Sequence, residues 1–303
     1  MSISPERLNT LLGLAETELV LEACETEDRG SHSVERLRFR SLRNGAEIRG
    51  LLTRPSGTGD RRPAILYAHA HGGRYEIGAS ELLEGRPALL GPPGPLLAEH
   101  GFVTLCIDMP TFGERSIVTE SAAAKAALWY GRTLFGQMLA EQRAALDWLS
   151  SRADVDAGRI GMTGISMGAT LSYFLAALDE RIAAIAHLCC YADFASLVET
   201  GAHDRHGHYL TIPGLLSETS TGAIAGLVAP RPQLICVGLD DPLTPPRALE
   251  LAYAETHAAY RAAGAEEALS LLTEPGVGHV ETASMRDAVL AFLGHHLGAR
   301  KHA

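Results

Sequence analysis

Aromatic side chains are scarce in this chain, at 6% of 303 residues. That leaves few stacking platforms for single-stranded nucleic acid. Basic residues are also short: Lys and Arg total 26 against 36 Asp and Glu, a formal net charge of −10. With no basic cluster, neither nucleic acid nor a membrane surface is an expected partner. No apolar run reaches the roughly 18 residues of a membrane-spanning helix. The stretch from Met1 to Arg7 lacks the basic and apolar regions of a secretory signal. Cysteine is sparse and odd in number, and Cys24, Cys106, Cys189, Cys190 and Cys236 form no CxxC pair. Four of the five lie in apolar, strand-like segments, which predicts buried reduced thiols in a cytoplasmic protein rather than disulfides or metal ligands.

Glycine and hydrophobic residues are plentiful. Thirty-one Gly and fifteen Pro imply many tight turns. A hydrophobic content of 46% suffices for one large α/β domain or two small ones. Ser4-Pro5-Glu6 predicts a capped helix through about Leu14, followed by a polar surface connection from Glu16 to His32. Residues 1–33 therefore read as an N-terminal helical extension. Val34–Arg40 and Ala46–Thr53 predict a hairpin turning at Asn44-Gly45. Beyond it, short apolar runs begin at Ala64, Phe102, Arg159, Ile182, Gln233 and Ala268. Such runs suit strands covered on both faces. Helical stretches alternate with them: Pro95–His100, Ala122–Ser150, Met167–Leu178, Pro246–Ala263 and Glu281–Leu297. The expected fold of residues 34–303 is α/β: one doubly wound, mostly parallel sheet, helices on both faces, and an antiparallel N-terminal hairpin at one edge. Residues 191–230 break the alternation and read as an insertion, a partial lid.

Chemistry concentrates in the loops. Gly164-Ile165-Ser166-Met167-Gly168 lies between an expected strand and an expected helix, the setting of a nucleophile elbow. Ser166 would stand on the sharp turn, and the Met167 amide would face a developing oxyanion. A serine needs a base and the base an orienting acid. Asp240 and Asp241 follow the strand at Gln233, and His279 follows the last strand behind Gly276 and Gly278. His69-Ala70-His71-Gly72-Gly73 offers backbone amides to the oxyanion, that of His71 with Gly72 beside it. A metal site built from His69, His71 and Asp108 is the rival reading; it lacks a third ligand cluster at metallohydrolase spacing. Trp129, Tyr130, His187 and Cys189-Cys190 are expected in the core.

On these residues the chain resembles the α/β-hydrolase superfamily, from about residue 34 to the end. It is most similar to dienelactone-hydrolase-like and acetyl-xylan-esterase-like serine esterases. The matching pieces are His69–Gly73, Asp108–Arg115, Gly164–Gly168, Ala229–Pro232, His206–Tyr209 with Ile212–Gly214, Gly238–Pro246 and Gly278-His279. The resemblance implies Ser166 as nucleophile, His279 as base and, from the G-x-x-D-x-x-x-P spacing, Asp241 as acid with Asp240 capping the loop. Dienelactone hydrolases carry cysteine where this chain has Ser166, and relatives often carry glycine at Ala70. Gly72, Glu114, Arg115, His206 and Tyr209 are candidate substrate contacts. The activity expected is cleavage of a small carboxylic ester with a short acyl group through a covalent acyl-enzyme, without metal or organic cofactor. Alternatives are an amide, thioester or carbon–carbon bond, or a non-catalytic binding protein. Self-association stays open.

Overall fold

Ser4 accepts a hydrogen bond from the Arg7 amide and Pro5 occupies the first turn, so helix α1 (Pro5–Leu12) starts where the sequence places it. The structure, a computed structural model, describes residues 3–57 and 61–298. Among them nine strands form one sheet. The first five are β1 (Leu19–Asp28), β2 (His32–Ser41), β3 (Glu47–Pro55), β4 (Arg62–Ala68) and β5 (Val103–Ile107). The rest are β6 (Val155–Ile165), β7 (Ile182–Leu188), β8 (Gln233–Gly238) and β9 (Leu269–Glu274). Their order across the sheet is β1-β2-β3-β5-β4-β6-β7-β8-β9. Pairing is antiparallel from β1 through β3 to β5 and parallel from β5 to β9.

Helices cover both faces. Besides α1 they are α2 (Glu81–Glu84), α3 (Pro93–Glu99), α4 (Glu120–Trp129), α5 (Leu134–Ser151) and α6 (Met167–Leu178). After β7 come α7 (Phe194–Thr200), α8 (Leu215–Glu218), α9 (Thr221–Gly226), α10 (Pro246–Ala262) and α11 (Ala283–Leu297). The two-residue strand period sorts side chains between two core layers. In β4, Leu66 and Ala68 join the layer of α1, α5, α6 and α10, whereas Ile65 and Tyr67 join that of α2, α3 and α11. No helix among the described residues is long and apolar enough to cross a membrane.

Two expectations fail. Residues 19–28, read as a surface connection within a helical extension, form the edge strand β1, with the next nine residues after Leu19 all exposed. An edge strand bonds along one side only, and this one buries too little to leave an alternating pattern. The stretch 122–150, read as one helix, is two. Gly131 at φ 66° reverses the chain, and the Thr133 hydroxyl caps α5 by accepting the Gly136 amide at 2.8 Å. The break puts Trp129 and Tyr130 on the surface, 90% and 78% exposed, not in the core.

The parallel strands bring their C-terminal ends to one side of the sheet, where α/β proteins build sites. The loops after β4, β6, β8 and β9 carry the candidate residues, and the 191–230 segment runs between β7 and β8. Leu146 in α5 is fully buried. Leu146→Ala is expected to cost about 2–5 kcal/mol in urea unfolding, and Trp129→Ala less than about 0.5 kcal/mol.

Candidate active site

Ser166 sits at φ 60°, ψ −119° between β6 and α6. A non-glycine residue holds positive φ only where its surroundings enforce it. Here the Ser166 amide donates to the Leu188 carbonyl at 2.9 Å. On either side the backbone runs against the end of β4. A Cβ at Gly164 would stand 2.3 Å from the Ala68 oxygen, and one at Gly168 2.0 Å from the same atom. Only glycine fits at either place.

His279 Nδ1 lies 2.7 Å from Asp241 Oδ2. The Asp241 carboxylate is buried, and its other oxygen accepts the Leu243 amide at 2.8 Å. Asp240 is exposed and its amide donates to Val277. The chain thus brings Asp241, not Asp240, against His279. Burial pushes the adjacent Cys189 thiol far up. Cys189, Asp241 and His279 hold ligand-type atoms within 4.8 Å. With the thiol kept protonated and Nδ1 and Oδ2 engaged with each other, that trio suits a metal poorly.

The loop after β4 is clamped by buried charge. Glu81 accepts the Ala70 amide at 3.1 Å and the Tyr67 hydroxyl at 2.6 Å, and pairs with Arg86. Arg86 donates to the Ala70 carbonyl at 2.9 Å. Gly73 donates its amide to His71 Nδ1 and Arg74 its own to the His71 carbonyl. Among the described residues the amides of His71, Gly72 and Met167 have no acceptor within the protein. His69 is fully buried: Nδ1 is 3.0 Å from the Ala70 carbonyl, and Nε2 accepts the Met109 amide at 3.1 Å. Both ring nitrogens are engaged, which removes His69 from any metal pair with His71.

A cavity of about 770 Å³ opens over these loops, with Ser166, His279, His71 and Gly72 on its wall. Its outer side comes from residues 194–216, among them Phe194, Leu197, Ile212 and Leu215. His206 and Tyr209, expected substrate contacts, line it too. His206 Nδ1 is 3.6 Å from the Cys190 sulfur; its Nε2 lacks a partner and burial lowers its pKa. Tyr209 stacks on the His71 ring at 5.6 Å. Glu114 and Arg115 do not line the cavity. Glu114 pairs with Arg38, and Arg115 with Glu141, their loop being held by the buried Asp108 carboxylate, which takes the Glu114 amide. His187 is buried but half satisfied: Nε2 meets Gln233 and Nδ1 has no partner.

Glu120 escaped the sequence reading. It is buried on the cavity wall, accepting from Tyr75 Oη at 2.6 Å and the Tyr209 amide at 2.6 Å, with His71 Nε2 at 3.0 Å. Burial alone would raise its pKa, but the hydrogen bonds from His71 and Tyr75 outweigh it and hold the carboxyl at about 2. The one signal available was its place at the start of α4 after Thr119, shared by countless solvated glutamates.

Burial lowers the His69 pKa to about 4. Below pH 6.5 the unfolded chain binds a proton there that the folded chain refuses, so His69 favours folding at neutral pH and that share is lost as pH falls toward 4. Denaturant melts from pH 7 to 4.5 are expected to show a shallower acid loss in His69→Gln than in the parent. Parallel slopes would contradict this.

The model of the X-Pro dipeptidyl-peptidase (S15) family matches residues 44–225. YtaP of Bacillus subtilis (strain 168), provisionally named a hydrolase, is 36% identical over 274 residues, 90% of this chain and 91% of that protein. A glucuronoyl esterase from Solibacter usitatus superposes with a TM-score of 0.70 at 14% identity, covering 96% of this chain and 92% of the other. An acetyl xylan esterase from a Paenibacillus species gives 0.67 at 19%, covering 96% and 93%. At such identities these two establish the architecture only. Together with the elbow and the loops above it, the matches make this chain an α/β hydrolase of the X-Pro dipeptidyl-peptidase (S15) family, a hydrolase of the serine class.

Proposed function

We propose that the protein hydrolyses a small carboxylic ester, with Ser166 as nucleophile, His279 as base and Asp241 as orienting acid. The observation that carries this reading is the Asp241–His279 contact at 2.7 Å, which holds the imidazole in the same cavity wall as a serine at positive φ. Asp241 takes the proton-bearing Nδ1, which turns Nε2 into the basic nitrogen. His279 removes the Ser166 proton as Oγ adds to the ester carbonyl. The Met167 and His71 amides, with Gly72 beside them, receive the oxyanion. The imidazolium then protonates the departing alcohol, leaving an acyl-Ser166. Water, deprotonated by His279, attacks that ester; the acid leaves and Ser166 recovers its proton. No metal or organic cofactor enters these steps.

An ester is favoured over the X-Pro peptide of the family's name by the cavity's carboxylates. An enzyme that releases dipeptides from a chain's N-terminus needs an acid free to receive the ammonium group. Glu120 already accepts three donors, and Asp204, also on the cavity wall, is exposed, where water weakens its hold on an ammonium group. The His71–Tyr209 stack, walling the cavity beside the oxyanion loop, supports a short acyl group. His206, with its free Nε2, is a further proposed contact to substrate.

Ser166→Ala is expected to reduce turnover of p-nitrophenyl acetate by about 10³-fold or more and to abolish labelling by a fluorophosphonate probe. Gly-Pro-p-nitroanilide should be a far poorer substrate than the ester for the parent enzyme. Near-normal ester hydrolysis by the alanine variant would refute the mechanism, and preference for the anilide would refute the ester assignment.

A further inference from the structure

Two stretches of chain distant in sequence, residues 71–75 and 207–209, meet at one carboxylate. The His71 ring reaches Glu120 Oε2 with Nε2, Tyr75 donates its hydroxyl to the same oxygen, and the Tyr209 amide donates to Oε1. Because His71 Nδ1 accepts the Gly73 amide, the ring proton sits on Nε2 and points at Glu120. The His71 carbonyl is taken by Arg74. Every polar group of His71 except its own amide is therefore committed, and the ring's outer anchor is Glu120. From the far side, the turn at Gly207 lies directly on this pair. A Cβ there would fall 2.6 Å from Glu120 Oε1 and 2.7 Å from His71 Nε2.

We propose that Glu120 is a positioning residue with two linked duties. It fixes the His71 amide for the oxyanion, and it seats the 207–209 turn that forms the outer wall of the cavity. The proposal rests on the Ser166 mechanism above and adds a requirement to it: the wall must be seated for the oxyanion loop to be in place. A carboxylate suits the position because three donors converge on it and it donates nothing in return. A glutamine there could accept from some of them only, since its own N–H groups would face a donor whichever way the amide turned. An acid of the same type one carbon shorter would not span the two ends.

Kinetics on p-nitrophenyl acetate separate positioning from mere folding. Glu120→Gln is expected to lower kcat about 10²-fold, with KM changed by less than about threefold. His71→Ala should show a similar loss. If Glu120 acts through His71, the double variant should be no worse than about threefold below the poorer single one. Tyr75→Phe removes one donor and keeps the ring anchored, so it should lose less than about tenfold. Limited trypsin digestion gives a second readout, cleavage after Arg205 beside the turn, which should speed up in folded Glu120→Gln.

Multiplicative losses in the double variant, a change confined to KM, or unchanged cleavage after Arg205 would overturn the proposal. Should Glu120→Gln fail to fold, Gly207→Ala carries the test, because it keeps the carboxylate and displaces the turn. It is expected to lower kcat about tenfold and to expose Arg205, and parental values on both counts would overturn the proposal. Failure of the underlying mechanism looks different: Ser166→Ala would then retain activity. An inactive Ser166→Ala beside a fully active Glu120→Gln would sink the positioning role alone.

Discussion

Among the glycines of the described residues, the tightest approach is that of the Ala68 carbonyl oxygen, 2.0 Å from where a Cβ at Gly168 would stand. That oxygen ends β4 in register with Gly164 of β6 and leaves no space for a side chain at residue 164 or 168. Two glycines let β6 and the first turn of α6 close on that oxygen, and closure aligns the loops after β4 and β6. The loop that offers the His71 and Gly72 amides starts one residue beyond Ala68, and Ser166, the proposed nucleophile, stands two residues beyond Gly164. A wider spacing would part Ser166 from His71 and Gly72, which share its cavity wall. The strain at Ser166 is thus held by packing on both sides of the turn rather than by any contact of the hydroxyl.

The loops at this edge of the sheet share a second device. Strand ladders satisfy backbone amides inside the sheet but not beyond its ends. Past the ends, buried carboxylates take over. Glu81 receives the Ala70 amide, Asp108 those of Ala79 and Glu114, Glu120 that of Tyr209, and Asp241 that of Leu243. Each also meets a side-chain donor: Arg86, Arg49, His71 and His279 in turn. A buried carboxylate is costly unless its lone pairs are filled, so each of these loops has few other conformations open to it. In the proposed mechanism Asp241 is the member of this set whose side-chain partner does the chemistry.

Much of this was legible because it is local. The parallel strands are short apolar runs, and β7 and β8 begin where their runs do. The elbow declares itself through residues within five positions, and His279 through the glycines before it. What was illegible depends on distant partners. β1 hides because an edge strand exposed along nearly its whole length has no alternating pattern. The break before α5 hides because Leu134 onward keeps a helical composition, and the cap at Thr133 looks like any threonine. Glu120 looks solvated until residues 71, 75 and 209 close around it. Glu114 and Arg115 stood out only by following a strand end, and their partners Arg38 and Glu141 lie well away in sequence.

The two halves of the site have different architectures. The proposed reacting groups, His71, Ser166, Asp241 and His279, sit in loops at the ends of four separate strands. The outer wall comes from one continuous stretch between β7 and β8, anchored through a glycine and a backbone amide on Glu120. Neither anchor specifies a side chain beyond that glycine. The wall's exposed side chains, Val198, Arg205 and Leu216 among them, can vary while that seating persists, whereas Tyr209 and Leu215 are tied into the core. Exchanging one of these exposed residues changes the cavity's lining without touching the loops beneath it.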